Sequence, residues 1–278
     1  MFSILIPSWN NLEFLKICIE SILKNSSYSH QIIIHINEGT DGTAEWVKQM
    51  GLDFSFTVKN EGVCIALNQA AMLANHKYLV FINDDMYALP AWDQFLTDEI
   101  ETLNTDCFML SSTLIEPYET KNNCVIVADY GRGVRDFDEE KLLKEFSFFI
   151  KQNWSGSTWP PFVVHKKWWD MVDGFSEEFS PGMSADDDFA MKMWQKGCRN
   201  FKGAGASRVY HFVSKSIIRM QNHNYGRKQF LKKWGIKQTA FHKYYTLRGE
   251  EYKGELHGPG LNPGYLLQRV IGTILRLS

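Results

Sequence analysis

Lys77–Tyr87 reads KYLVFINDDMY, and the fold turns on how this stretch is interpreted. Tyr78 to Ile82 is an unbroken apolar, β-rich run, the pattern of a strand buried on both faces. It stops abruptly at Asn83-Asp84-Asp85. Carboxylates at the carboxyl end of a buried strand sit where open α/β sheets place their ligands. Two adjacent acids there suffer desolvation and mutual repulsion unless a cation neutralises them. A divalent metal answers that need, and hard oxygen ligands suit Mg2+ or Mn2+ carrying phosphate oxygens. A solvated turn ahead of Ala88-Leu89-Pro90 fits the same residues equally well.

On the N-terminal side, Phe2–Pro7 predicts a strand stopped by proline, then a helix over Leu12–Lys24 capped by Asn11. Ile32–Ile36 is a second strand running into Asn37-Glu38. Thr43 opens a helix with Trp46, Val47 and Met50 facing inward. Phe54–Val58 is a short strand and Ile65–Ala74 a helix. This β-α-β-α-β-α-β order implies a parallel sheet covered on both faces, with a nucleotide or similar anion in its switch-point crevice. Neither GxGxxG nor GxxxxGK[ST] is present, so no dinucleotide fingerprint or P-loop explains that crevice.

On the C-terminal side, helices are expected over Trp92–Leu103, Glu139–Ile150 and Lys166–Val172. Another covers Phe189–Lys196, opened by Asp186-Asp187-Asp188. Strands are expected over Cys107–Leu114, Phe162–His165 and Arg208–Phe212, with an irregular segment over Glu116–Asp138. Trp154–Pro161, rich in Trp, Ser, Gly and Pro, reads as a loop near a site. Gln221–Trp234 reads as a basic helix.

At 278 residues the chain is long enough for one large domain, or one domain with a small appendage. A net charge of −2 provides no basic field to recruit nucleic acid. Five scattered cysteines without CxxC spacing argue against a zinc site and a disulfide framework, and for a reducing compartment. No basic leader precedes FSILIPSW, so a signal peptide is not expected. No apolar run reaches the roughly 20 residues of a membrane span. The tail from Tyr265 to Ser278 has apolar positions at helical spacing together with Arg269 and Arg276. It suits a membrane surface, a partner, or a helix docked on its own domain.

Read together and in order, the motifs carry a resemblance. SILIPSWN lies at the first strand, INEGTDGT after the second, then KNEGVCIALNQAAMLA and YLVFINDDM. GFSEEFSPGMSADDDFAMKM and VYHFVSKS follow later. Their collinearity over roughly residues 2–216 resembles the inverting glycosyltransferases of family 2, which have the GT-A fold. The resemblance implies an α/β fold with a Rossmann-like mixed central sheet. Residues 1–216 would form the GT-A domain, with a nucleotide-binding half (1–105) and an acceptor-binding half (106–216). Residues 217–278 would form a helical extension.

The resemblance also implies roles. Asp85 matches the metal-binding acid of the DxD motif, whose first position falls on Asn83 and whose middle position is Asp84. Pro7, Ser8 and Trp9 match the loop lining the nucleoside, and Glu38 the acid that contacts the base. Asn60, Gly62 and Asn68 match a pattern near the nucleotide. Asp186 matches the catalytic base, with Asp187 as the neighbouring alternative. A base is needed because a sugar hydroxyl is a poor nucleophile until its proton is accepted. Three acids favouring a helix dipole is the plainer explanation of the same trio. His211 matches a metal or diphosphate ligand, Ser214 and Lys215 phosphate contacts, and Trp154 and Trp159 acceptor contacts. The expected cofactor is Mn2+ or Mg2+. The expected partners are a nucleotide-diphosphate sugar and a glycan or lipid-linked acceptor. The implied setting is cytoplasmic, at the inner membrane face. A degenerate nucleotide- or glycan-binding module and a nucleotidyltransferase remain the alternatives, the latter without the glycine- and lysine-rich first loop it would want.

Overall fold

The structure, a computed structural model, describes residues 1–120, 122–213 and 223–277. Among these, ten strands form one sheet. They are β1 (Ser3–Trp9), β2 (Gln31–Asn37), β3 (Asp53–Thr57), β4 (Tyr78–Phe81), β5 (Met86–Ala88), β6 (Phe108–Glu116), β7 (Ile126–Val127), β8 (Trp154–Ser155), β9 (Phe162–His165) and β10 (Asn200–His211). The order is β3-β2-β1-β4-β9-β6-β10-β5, with β7 beside β6 and β8 beside β10. Strands β3, β2, β1 and β4 run parallel, whereas β9 is antiparallel to both its neighbours. The sheet is therefore mixed, as expected.

The helices are α1 (Leu12–Asn25), α2 (Thr43–Gln49), α3 (Val63–Ala71), α4 (Trp92–Leu103), α5 (Glu139–Glu145), α6 (Lys166–Met171), α7 (Ala185–Gln195), α8 (His223–Trp234), α9 (Gln238–Tyr244) and α10 (Pro263–Leu277). Alternation along β1 divides them between two cores. Ile4 and Ile6 pack with Leu15, Ile19 and Ile22 of α1 and Trp92 and Leu96 of α4. Leu5 faces the other way, toward Cys64 and Leu67 of α3 and the Trp169, Phe175 and Phe189 group. Burying each such aliphatic side chain contributes about 1.5–3 kcal/mol, so both faces anchor β1 firmly.

Several expectations need correction. β1 does not stop at Pro7 but continues to Trp9, pairing Pro7 with His35 of β2. Leu5 accepts from Ile82 on the β4 side, so Pro7, two residues on, turns its N–H-less nitrogen the same way, where β4 has already ended. The helix expected over Glu139–Ile150 ends at Glu145 and tightens into a 3-10 turn over Phe146–Phe148. Met50 does not face inward; it is exposed, while Val47 alone of the expected trio is fully buried. The solvated turn offered as the alternative for Asn83-Asp84-Asp85 is not formed, since both aspartates are buried, and Met86–Ala88 pairs as β5 with the end of β10. That pairing matters most, because its register sets Met86 opposite His211 and so brings Asp85 to the histidine.

Candidate active site

A cleft of about 500 Å3 opens at the carboxyl ends of β1 and β4. Pro7, Ser8, Trp9, Asn60, Gly62, Asn83, Asp84, Asp85, Trp159, Asp186, Asp187 and His211 all line it. Residues far apart in sequence thus meet in one concavity.

At one end, Asp84 and Asp85 are buried at the turn after β4. Asn11 was expected to cap α1. Its side chain instead donates to Asp84 Oδ1 at 3.0 Å, and the Leu12 N–H is taken by Asp41. Burial and the neighbouring Asp85 charge push the Asp84 carboxyl up to about 7, despite bonds from Ser8 and Asn11. His211 Nε2 lies 3.4 Å from Asp85 Oδ1, and its Nδ1 meets Glu116 Oε1 at 2.8 Å. Burial alone would lower the His211 pKa, but the Asp85 and Glu116 carboxylates hold it up at about 10.

At the other end, the first turn of α7 carries three acids with different surroundings. Asp188 is fully buried and tied to Ser176 at 2.6 Å, Trp234 at 2.9 Å and Lys233, which fastens α8 to the sheet domain. Asp187 accepts from Gln238, from His242 at 2.8 Å and from Arg248 at 3.2 Å. Burial would raise its pKa, yet the His242 and Arg248 charges hold it well below the usual carboxylate range. Asp186 accepts no hydrogen bond among the described residues. Burial and the Asp187 charge push it well above an ordinary carboxylate, eased somewhat by Arg248. Adjacent residues on one helical turn are thus a locked anion and a carboxyl ready to take a proton.

The tryptophans form a stack. Trp154 lies against Gly203, where a Cβ would clash with its ring, and parallels Trp159 at 4.9 Å. The Arg248 guanidinium covers the far face of Trp159 at 4.6 Å. Neither face of Trp159 is open to a sugar, so only its edge can serve a ligand. That edge carries Nε1, which is buried without a hydrogen-bond partner, as are His211 Nε2 and Arg248 Nε. Buried polar groups are ordinarily satisfied, so atoms like these around one cleft, without a partner among the described residues, point to a ligand.

Three candidate residues stand outside the cleft lining. Trp154 is the buttress just described, and its Nε1 bonds Thr113 at 2.9 Å. Glu38 accepts from Trp9 Nε1 at 2.8 Å and thereby sets the indole in the cleft wall. Asn68 spends its amide on the Phe175 backbone, accepting from its N–H and donating to its carbonyl, both at 2.8 Å. Gly62 has φ +87°, and a Cβ there would approach Pro181 Cα to 2.7 Å, so this glycine lets the α3 entrance touch the loop leading to Asp186. Ser214 and Lys215 lie outside the described residues.

Sequence reasoning missed Asn11, Glu116, Gln238, His242 and Arg248. Arg248 meets Asp187 across 61 residues, and no local motif announces such a contact.

Known proteins give the constellation its context. A sequence model of Glycosyl transferase family 2 matches residues 3–156. The uncharacterized protein y4gI of Sinorhizobium fredii is 25% identical over 229 residues, covering 78% of this chain but only 25% of its own length. This chain therefore spans about a quarter of that relative. The fold is similar to crystal structures of S. aureus TarS. Residues 1–349 of TarS with UDP-GlcNAc align with a TM-score of 0.60 at 13% identity, covering 84% of this chain and 65% of that one. The complex with UDP aligns at 0.58 and 14%, covering 87% and 74%. Such identities speak for the fold alone, but the family match covers more than half of the chain: the protein belongs to glycosyl transferase family 2.

Proposed function

We propose that the protein is an inverting glycosyltransferase that moves a sugar from a nucleoside-diphosphate donor to an acceptor hydroxyl. The observation that carries this reading is Asp186: a cleft-lining carboxyl of raised pKa, without a hydrogen bond among the described residues, beside a neighbour that is locked. A general base works best when its pKa approaches the operating pH and nothing else occupies its oxygens. Asp186 takes the acceptor proton as the hydroxyl attacks from the far side of the anomeric carbon. Asp187 stays ionised and fixes Gln238, His242 and Arg248 around the acceptor side. Residues 1–216 hold donor and base in this reading, and the 217–278 extension completes the base's surroundings.

At the opposite end, Asp85 and His211 fit a hard divalent ion such as Mn2+ or Mg2+. Their ligand atoms lie 3.4 Å apart, a span two ligands of one ion can adopt, and Glu116 fixes the histidine through its other nitrogen. Sites of this kind use one or two protein ligands and leave the rest to phosphate oxygens and water. What such an ion supplies is neutralisation of charge on the leaving diphosphate. Trp9, oriented by Glu38, offers a surface for the nucleoside. The UDP and UDP-GlcNAc complexes of TarS support a nucleotide-sugar donor. The reading extends to surface-glycan synthesis on a glycan or lipid-linked acceptor, and the five free cysteines fit a reducing setting.

Titration calorimetry with UDP, GDP and dTDP, each with Mn2+ and with EDTA, tests the reading. One nucleotide should bind, and bind more tightly with the metal. Equal affinity in both buffers removes the metal from the mechanism, and no binding by any of the three removes the donor class.

A further inference from the structure

The final helix turns an apolar face outward. α10 docks on α8 and α9 through one side. Tyr265 is buried there with its hydroxyl 2.6 Å from that of Tyr245. Gly272 lies so close to Gly235 that a Cβ would come within 2.2 Å of its carbonyl oxygen. At about 100° per residue, the side opposite Tyr265 and Gly272 carries Leu266, Leu267, Val270 and Ile274. These are 46%, 59%, 57% and 62% exposed, and Leu261 just before the helix is 88% exposed. A helix docked by one face ordinarily turns charged residues to water on the other. Here that side is an apolar stripe instead, and the exposed Arg269 and Arg276 lie at the docked edge, Arg269 beside Tyr245.

Charge gives the stripe a partner. Residues 223–277 contain ten Lys and Arg against three Asp and Glu, whereas the remaining chain has twenty against twenty-nine. Arg227, Lys228, Lys232, Lys237 and Lys243 of this segment are exposed. A second copy docking on the same face would bring like charge against like charge.

We propose that this face docks on an anionic lipid bilayer, with α10 lying in the plane of the interface. The stripe enters the boundary between headgroups and acyl chains, and the long basic side chains around it reach out toward lipid phosphates. The helix is about 22 Å long by its rise per residue. No helix of the described residues is long and apolar enough to cross a membrane, so the contact is peripheral. It needs no sugar chemistry and stands or falls apart from the transferase reading.

Co-sedimentation of the full chain with phosphatidylcholine vesicles, with and without phosphatidylglycerol, provides the test. Binding should require the anionic lipid and fall with added salt. Leu266→Asp with Val270→Asp should lower partitioning at least about tenfold. Arg269→Gln and Arg276→Gln should each lower it about fivefold. Circular dichroism checks that the variants fold, and the milder pair Leu266→Gln with Val270→Gln replaces the first should it unfold. Absence of wild-type binding to both vesicle types overturns the proposal. So does undiminished binding by the folded stripe variants, or a dimer in ultracentrifugation that the same substitutions disperse.

Discussion

The two acidic ends of the cleft are maintained by different parts of the chain. Asp84 and Asp85 are held by the sheet: they follow β4, β5 sets Asp85 against His211 at the end of β10, and Asn11 reaches over to Asp84 from the β1 loop. Asp186 and Asp187 sit at the start of a helix, and their surroundings arrive from outside the sheet on the α9 arm. At the first end Asp85 meets the histidine, which it shares with Glu116, while Asp84 takes the Asn11 amide. At the second, Asp187 receives Gln238, His242 and Arg248, while Asp186 accepts no hydrogen bond among the described residues. A pair of neighbouring carboxylates can thus be made into a cation site or into an anchor and a base, depending on where the positive groups come from.

Breaking the second end should produce the largest effect. Asp186→Asn keeps size and most hydrogen bonding but cannot accept the proton, so transfer should fall by roughly two to four orders of magnitude. Nucleotide affinity should hold. Asp187→Asn should fail differently. Removing one partner of a buried charge group costs about 3 kcal/mol, read as a fall in denaturant midpoint. A turnover loss for Asp187→Asn matching that of Asp186→Asn, with stability intact, would exchange the two roles.

At the sheet end, Asp85→Asn should weaken metal-supported nucleotide binding by about tenfold to a hundredfold. The mirror-image result, with binding intact and turnover gone, would place the base here. The smallest change is expected for Glu38→Ala. Losing the bond that orients Trp9 costs about 1 kcal/mol, or about fivefold in nucleotide affinity by calorimetry.

The pH dependence sharpens the contrast between the ends. With its folded pKa raised to about 10, His211 stabilises fully below its unfolded value near 6.5, and that contribution is lost as pH rises through about 10. Asp84, raised to about 7, acts in the same direction at lower pH, because its protonated form is favoured by folding. Metal-free protein should therefore lose thermal stability from pH 7 to 10, and His211→Gln should flatten that slope. Mn2+ should flatten it too, since metal binding prefers the deprotonated ligands. A slope unchanged in the His211→Gln variant would show that the imidazole does not titrate in this window.

Much of this was legible along the chain because it is local. The β-rich run of Tyr78–Ile82 and the alternation that sends Ile4 and Ile6 one way and Leu5 the other are properties of neighbouring side chains. The same holds for the acids placed at a strand end and at a helix start. Hydrophobic period and turn chemistry report these directly, so the layered α/β order could be named before the structure, and most of the candidate residues named with it line the cleft. The sequence reading also foresaw an amphipathic C-terminal helix, though not which of its faces would be covered.

Other features depend on distances that no spacing encodes. Pro7 reads as a strand terminator until its neighbour β4 is seen to end first. Asn11 has the residue type of a cap, but Asp84, 73 residues away, offers its amide a buried carboxylate. Asp186 and Asp187 are chemically identical in the sequence. Only the approach of Gln238, His242 and Arg248 makes one a fixed anion and leaves the other with a raised pKa. The sequence by itself determined which groups could ionise and which elements would carry them. The tertiary structure decided which charges meet, because a carboxylate's proton affinity depends on its burial and on cations within a few ångströms, and both are set by packing.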